Sequence, residues 1–119
     1  MISHAQADRF ATEWIDAWNA HDLERILSHY SRDVEFRSPV AAQLVPDSRG
    51  VIHGIDALRS YWAMGLERIP DLHFDLVSVL EIDDGITIFY RNQRDVLVAE
   101  TLRFGADGLV TDGFAAYEQ

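Results

Sequence analysis

The chain has 119 residues, with 20 acids against 10 bases and a formal charge of -10. That length supplies one domain, residues 1–119, burying roughly two thirds of the surface its unfolded form exposes. Cysteine is absent and every base is arginine; this excludes disulfides, thiol nucleophiles and Schiff-base lysines, while the acidic balance without a basic stripe argues against nucleic acid.

Met1 to Asp8 carries neither a basic n-region nor an apolar h-region, and no apolar run approaches membrane-spanning length. The reading is a soluble cytoplasmic protein without a membrane partner. From Ala5 to Asn19, Phe10, Trp14 and Trp18 recur every fourth residue beside Ala7, Ala11 and Ile15, which predicts an amphipathic helix with an aromatic buried face. Asp22 is an N-cap candidate for a short second helix carrying Leu23, Ile26, Leu27 and Tyr30.

Val34-Glu-Phe-Arg-Ser-Pro alternates like a strand and is expected to stop at Pro39. A loop over 40–52 leads to a third helix from Ile55 to about Arg68, with Leu58, Tyr61, Trp62, Gly65 and Ile69 on one face, closed by Pro70. The remainder is β in pattern: Leu72 to Ile82, Ile86 to about Asn92, Val96 to Phe104, and Leu109 to Glu118. Asp-Gly turns at Gly85 and Gly108 make hairpins the natural connections. Helices first and a meander last give an α+β order.

Three segments carry a resemblance: Asn19-Ala-His-Asp-Leu-Glu-Arg-Ile-Leu-Ser-His-Tyr, Asp33-Val-Glu-Phe-Arg-Ser-Pro-Val, and His53-Gly-Ile-Asp-Ala-Leu-Arg-Ser-Tyr-Trp. Together they resemble the front half of the cone-shaped fold shared by nuclear transport factor 2, ketosteroid isomerases and SnoaL-like polyketide cyclases. The resemblance implies a curved antiparallel sheet, three N-terminal helices on its concave face, an enclosed pocket and a homodimer formed through the sheet. Aligned on Asp22 and Gly54, the isomerases' catalytic aspartate falls on Ser38 and their tyrosine donor on Trp14. Their protonated oxyanion-hole aspartate falls on Glu100, and two further pocket positions fall on Trp62 and Tyr117. A serine without a paired histidine cannot shuttle a carbon-bound proton near neutral pH, so steroid isomerisation is rejected as the leading reading.

Glu100 sits in the apolar run Val96-Leu-Val-Ala-Glu-Thr-Leu. It is either a buried acid with a raised pKa, able to donate to an oxygen or activate water, or an outward carboxylate paired with an arginine across the sheet. Trp14 and Trp62 are read as pocket wall, Trp18 as core. The alternation around Tyr90 leaves open which face of its strand, Phe89 with Arg91 or Tyr90 with Asn92, meets the pocket. The Tyr90–Asp95 run reads as a solvated hairpin end, and His53 as a surface or capping residue. The five histidines lack metal-ligand spacing, so no metal and no cofactor is expected.

Three functions fit. One is a cofactor-independent isomerase, cyclase or hydrolase acting on a small hydrophobic, oxygen-bearing molecule, with Glu100 catalytic and Trp14, Ser38, Trp62 and Tyr117 binding the ligand. The others are a carrier using the same pocket and an assembly module.

Overall fold

The computed structural model describes residues 2–119. Helix α1 (His4–Asn19) starts at a capping box in which the Ser3 hydroxyl accepts from the Gln6 amide while the Gln6 side chain accepts from the Ser3 amide. It buries Ala7, Ala11, Trp14, Ile15, Ala17 and Trp18. Asp22 caps the short α2 (Leu23–Leu27), accepting from the Arg25 amide. Tyr30, read from the sequence as part of that helix face, is instead the first residue of strand β1 (Tyr30–Arg37), because α2 ends after little more than one turn.

The segment expected as a loop over 40–52 is structured. Ser38 ends β1 and caps a further helix, α3 (Pro39–Leu44), by accepting from the Val40 amide. Pro39 therefore opens a helix as well as closing a strand, since a first-turn residue needs no amide proton. A 3₁₀ turn (Pro46–Ser48) and the short strand β2 (Val51–His53) follow. Helix α4 (Ile55–Arg68) then leads to β3 (Asp75–Ile82), β4 (Gly85–Arg91), β5 (Leu97–Phe104) and β6 (Val110–Tyr117).

The six strands form one curved, unclosed sheet in the order β2-β1-β6-β5-β4-β3. From β3 to β6 it is the expected antiparallel meander. The exception to antiparallel pairing is β1 with β6, which run parallel with a break in register between Tyr30 and Glu35. After α4 the chain enters at the far edge and returns strand by strand, so β6 arrives beside β1 pointing the same way. β3 begins at Asp75 rather than Leu72, because Asn19 at the end of α1 holds the preceding segment. Its Nδ2 donates to the Phe74 carbonyl at 2.9 Å and its Oδ1 accepts from the Phe74 amide at 2.8 Å.

The helices cover the face of the sheet that carries Val34, Phe36, Ile86, Ile88, Tyr90, Val98, Glu100 and Leu102, all buried. The opposite face stays uncovered, with the cross-strand row Leu80, Thr87, Thr101 and Phe114. No helix among the described residues is long and apolar enough to cross a membrane.

Gly85 opens β4 where a Cβ would run into the backbone carbonyl of Leu102 on β5. Backbone cannot move aside as a side chain would, so Gly85→Ala is expected to lower the unfolding free energy by about 2–3 kcal/mol. The measurement is the urea midpoint, which should fall with the m-value unchanged.

Candidate functional site

Aromatic rings from α1, β1, α4, β4 and the segment before β3 pack on one another. Phe74 stacks on Tyr90 at 4.1 Å and on Trp14 at 6.0 Å. The Trp62 ring meets those of Trp18 and Tyr30 edge-on, each at 5.0 Å. Rings held by rings are stiff, and inside this lattice lies a cavity of about 750 Å³. Trp18, Phe36, Tyr61, Trp62, Phe74, Tyr90, Glu100 and Tyr117 line it, and the exposed Gln43, Arg68 and Arg94 stand at its mouth.

Glu100 occupies the middle of β5, opposite Ile88 on β4 and Ala115 on β6, and is 5% exposed. The Tyr90 hydroxyl donates to its Oε1 at 2.6 Å, and Oε2 has no partner among the described residues. Burial penalises the ionised form and pushes the Glu100 pKa up to about 7, with the Tyr90 hydrogen bond pulling the other way. The chain's four tyrosines all feel this carboxyl group. Burial first, and the Glu100 charge in addition, raise each phenol above its ordinary value; Tyr61 is pushed up to about 12. The phenols therefore remain hydrogen-bond donors, and the titratable proton at the inner end of the cavity belongs to Glu100.

Of the other residues picked from the sequence, Trp62 and Tyr117 line the cavity, while Trp14 and Ser38 do not. Trp14, expected to be pocket wall and ligand donor, is fully buried behind the wall, where its Nε1 donates to the Tyr30 hydroxyl at 2.9 Å. That proton is already used. Ser38 caps α3 from a buried position, and its hydroxyl works against burial in lowering the Tyr61 and Tyr117 pKa values. Trp18, read as core, lines the cavity, and its Nε1 is buried without a partner among the described residues.

Tyr90 was not singled out by sequence pattern. Ile86, Ile88 and Tyr90 alternate inward against Thr87, Phe89 and Arg91, but Phe89 beside Tyr90 puts an aromatic ring on each face, and it is the pairing with β5 that sets Tyr90 beside Glu100. Asn92, on the Tyr90 side, spends its Oδ1 on the Arg94 and Val96 amides, shaping the turn at the cavity rim. His53 is exposed on β2 with Nδ1 3.2 Å from Glu35, and it does not line the cavity. No group of three or more histidines or carboxylates among the described residues could hold a metal ion.

A family model described as a SnoaL-like domain matches residues 11–115. A SnoaL-like protein of unknown function from Burkholderia thailandensis is 41% identical over 100% of both chains, and its crystal structure superposes with a TM-score of 0.94. A provisionally named SnoaL-like polyketide cyclase from Shewanella denitrificans is 14% identical, covering 94% of this chain and 90% of its own, with a TM-score of 0.73. A provisionally named polyketide cyclase from Sinorhizobium meliloti is 11% identical, covering 91% and 94%, with a TM-score of 0.74. These last two share the fold alone. No curated protein matches the chain.

Between pH 4.5, the ordinary value, and about 7, the folded state keeps the Glu100 proton that the unfolded chain has released. Stability therefore falls as pH rises through that window, by about 3 kcal/mol in all. Glu100→Gln removes this dependence. The difference in unfolding free energy between variant and wild type should grow in the variant's favour from about pH 4.5 to 7 and then level off.

Proposed function

The chain belongs to the SnoaL-like family, and from that premise we propose that it is a cofactor-independent enzyme using Glu100 as acid and base on a small hydrophobic substrate that carries an oxygen function. The observation that supports this most is a carboxyl group of pKa about 7 buried at the inner end of an aromatic cavity. A group with its pKa near the working pH populates both the donor and the acceptor form, which is what proton transfer in both directions needs. The names of the two provisionally assigned polyketide cyclases point to oxygen-rich carbon skeletons.

In this reading ionised Glu100 takes a proton from a carbon next to a substrate carbonyl and returns it to another atom of the same molecule. The proton balance is zero, so the step needs no external acid, base or electron carrier. Tyr90 holds the carboxyl group in place and stabilises its ionised form through its hydroxyl. Trp62, Tyr61 and Tyr117 present flat faces and phenol edges along the cavity.

A second reading concerns the partner. The open sheet face, with Leu80 at 54% and Phe114 at 37% exposure flanking two threonines, suits a second copy of the chain, and we propose a homodimer through it. Sedimentation equilibrium should give a dimer that Phe114→Glu dissociates; a wild-type monomer at high concentration removes the proposal.

The enzymatic reading is tested with a panel of steroids, terpenoids and aromatic polyketides. Binding is followed by tryptophan fluorescence and turnover by product analysis. Glu100→Gln should keep binding and lose turnover by a factor of about 10² or more; turnover retained in that variant rejects the mechanism and leaves a carrier. Tyr90→Phe removes the hydrogen bond that favours the carboxylate, so the acid limb of the pH–rate profile should move to higher pH.

A further inference from the structure

The two ends of the cavity differ in charge. At the inner end Glu100 lies among phenol rings with one oxygen unpartnered, and among the described residues no cation is in place there to receive a second negative charge. At the mouth stand Arg68, the last residue of α4, and Arg94, in the turn between β4 and β5, both exposed. Five of the chain's arginines, at 25, 37, 59, 91 and 103, lie within 4.0 Å of a carboxylate. Arg68 and Arg94 have no such partner among the described residues, although acids outnumber bases 20 to 10.

The rim also carries Asp71 and Glu118. Glu118 is already engaged, accepting from the Leu97 amide and lying 3.8 Å from Arg91. Asp71 lies within 4.0 Å of no guanidinium group among the described residues, so Arg68 and Arg94 remain unpaired and open to an anion.

Gly65 supplies a second, independent observation. It sits in the interior of α4, one turn before Arg68, where glycine weakens a helix relative to alanine. A Cβ at this position would meet no atom within 4 Å, so packing does not require the glycine. What its missing side chain leaves is open cavity wall between Trp62 and Arg68, a stretch of about 9 Å along the helix axis.

We propose that the cavity takes an amphiphile with one terminal carboxylate: the carboxylate docks at Arg68 and Arg94, the apolar body lies along Gly65 and Trp62, and the uncharged, oxygen-bearing end reaches Glu100. This rests on the reading of the cavity as a ligand site and adds the polarity and direction of the ligand. A planar guanidinium matches a carboxylate in a two-point contact. The Glu100 charge, when present, repels the same carboxylate from the inner end, so one orientation is favoured.

The test uses naphthylhexanoate and the matching alcohol, naphthylhexanol, with affinities from isothermal titration calorimetry at low salt. The acid should bind about fivefold or more tightly than the alcohol, with the ratio shrinking as salt is added. The double variant Arg68→Gln/Arg94→Gln should bring the acid down to the affinity of the alcohol, while Arg32→Gln, an exposed arginine that does not line the cavity, should leave the ratio unchanged. Gly65→Leu should weaken both compounds by filling the space they share. Equal affinities, a preference for the alcohol, or a ratio that survives the double variant overturns the carboxylate assignment while leaving the cavity standing as a ligand site. Failure of both compounds to bind overturns both readings.

Discussion

The burial of one carboxyl group on the apolar face of the sheet is the constraint on which the rest of the site depends. Placing Glu100 between Ile88 and Ala115 takes it out of water. An isolated charge in such a place costs several kcal/mol, which the group avoids by holding its proton. The Tyr90 hydroxyl returns part of the stabilisation that water would give the ion, so the pKa settles near 7 rather than far above it. Holding an ionisable group in this apolar place costs stability at neutral pH. Such a local conflict between folding and residue choice is where function is usually found.

The cavity exists because the aromatic residues are satisfied by one another rather than by collapse. Trp14 and Phe74 form a stacked layer behind Tyr90, with the Trp14 indole hydrogen-bonded to Tyr30 and Phe74 fixed by both amide atoms of Asn19. Trp14, Tyr30 and Asn19 lie outside the lining of the cavity and Phe74 is part of it, yet together they determine where the Tyr90 hydroxyl, and through it Glu100, sits. The ring lattice has large area and few rotatable bonds, so it resists closing over the space beside it. Along α4 the wall then changes from Trp62 to Gly65 to Arg68, from closed and apolar to open and charged.

Much of this is legible in the amino-acid sequence alone. The aromatic repeat of Phe10, Trp14 and Trp18, the Asp22 cap, the helix ending before Pro70 and the two Asp-Gly turns are local signals, each produced by neighbours in sequence. They located α1, α2, α4 and the meander. Local signals failed where one residue serves two elements. Ser38 and Pro39 end a strand and begin a helix at once, and α3 was lost in a segment read as loop. The same limit applies to the tryptophans. Helical spacing puts Trp14 and Trp18 on one face, but only the position of Tyr30 commits the Trp14 proton, and only the position of α4 opens Trp18 to the cavity.

By itself the sequence determined the α+β order, the aromatic character of the core and the presence of a carboxyl group at position 100 within an apolar strand. Periodicity, caps and turn dipeptides act over a few residues, so they can be read without knowing what lies across the sheet. Tertiary structure alone decided the parallel pairing of β1 with β6, the choice of Tyr90 over Phe89 as the inward ring, and the placing of Arg68 and Arg94 on the lining of one cavity. Each of these depends on the register or packing of segments far apart in the chain. A shift of one residue in a strand would exchange its two faces, and in β4 the adjacent rings of Phe89 and Tyr90 fall on opposite faces, so the aromatic residues alone do not announce which is buried.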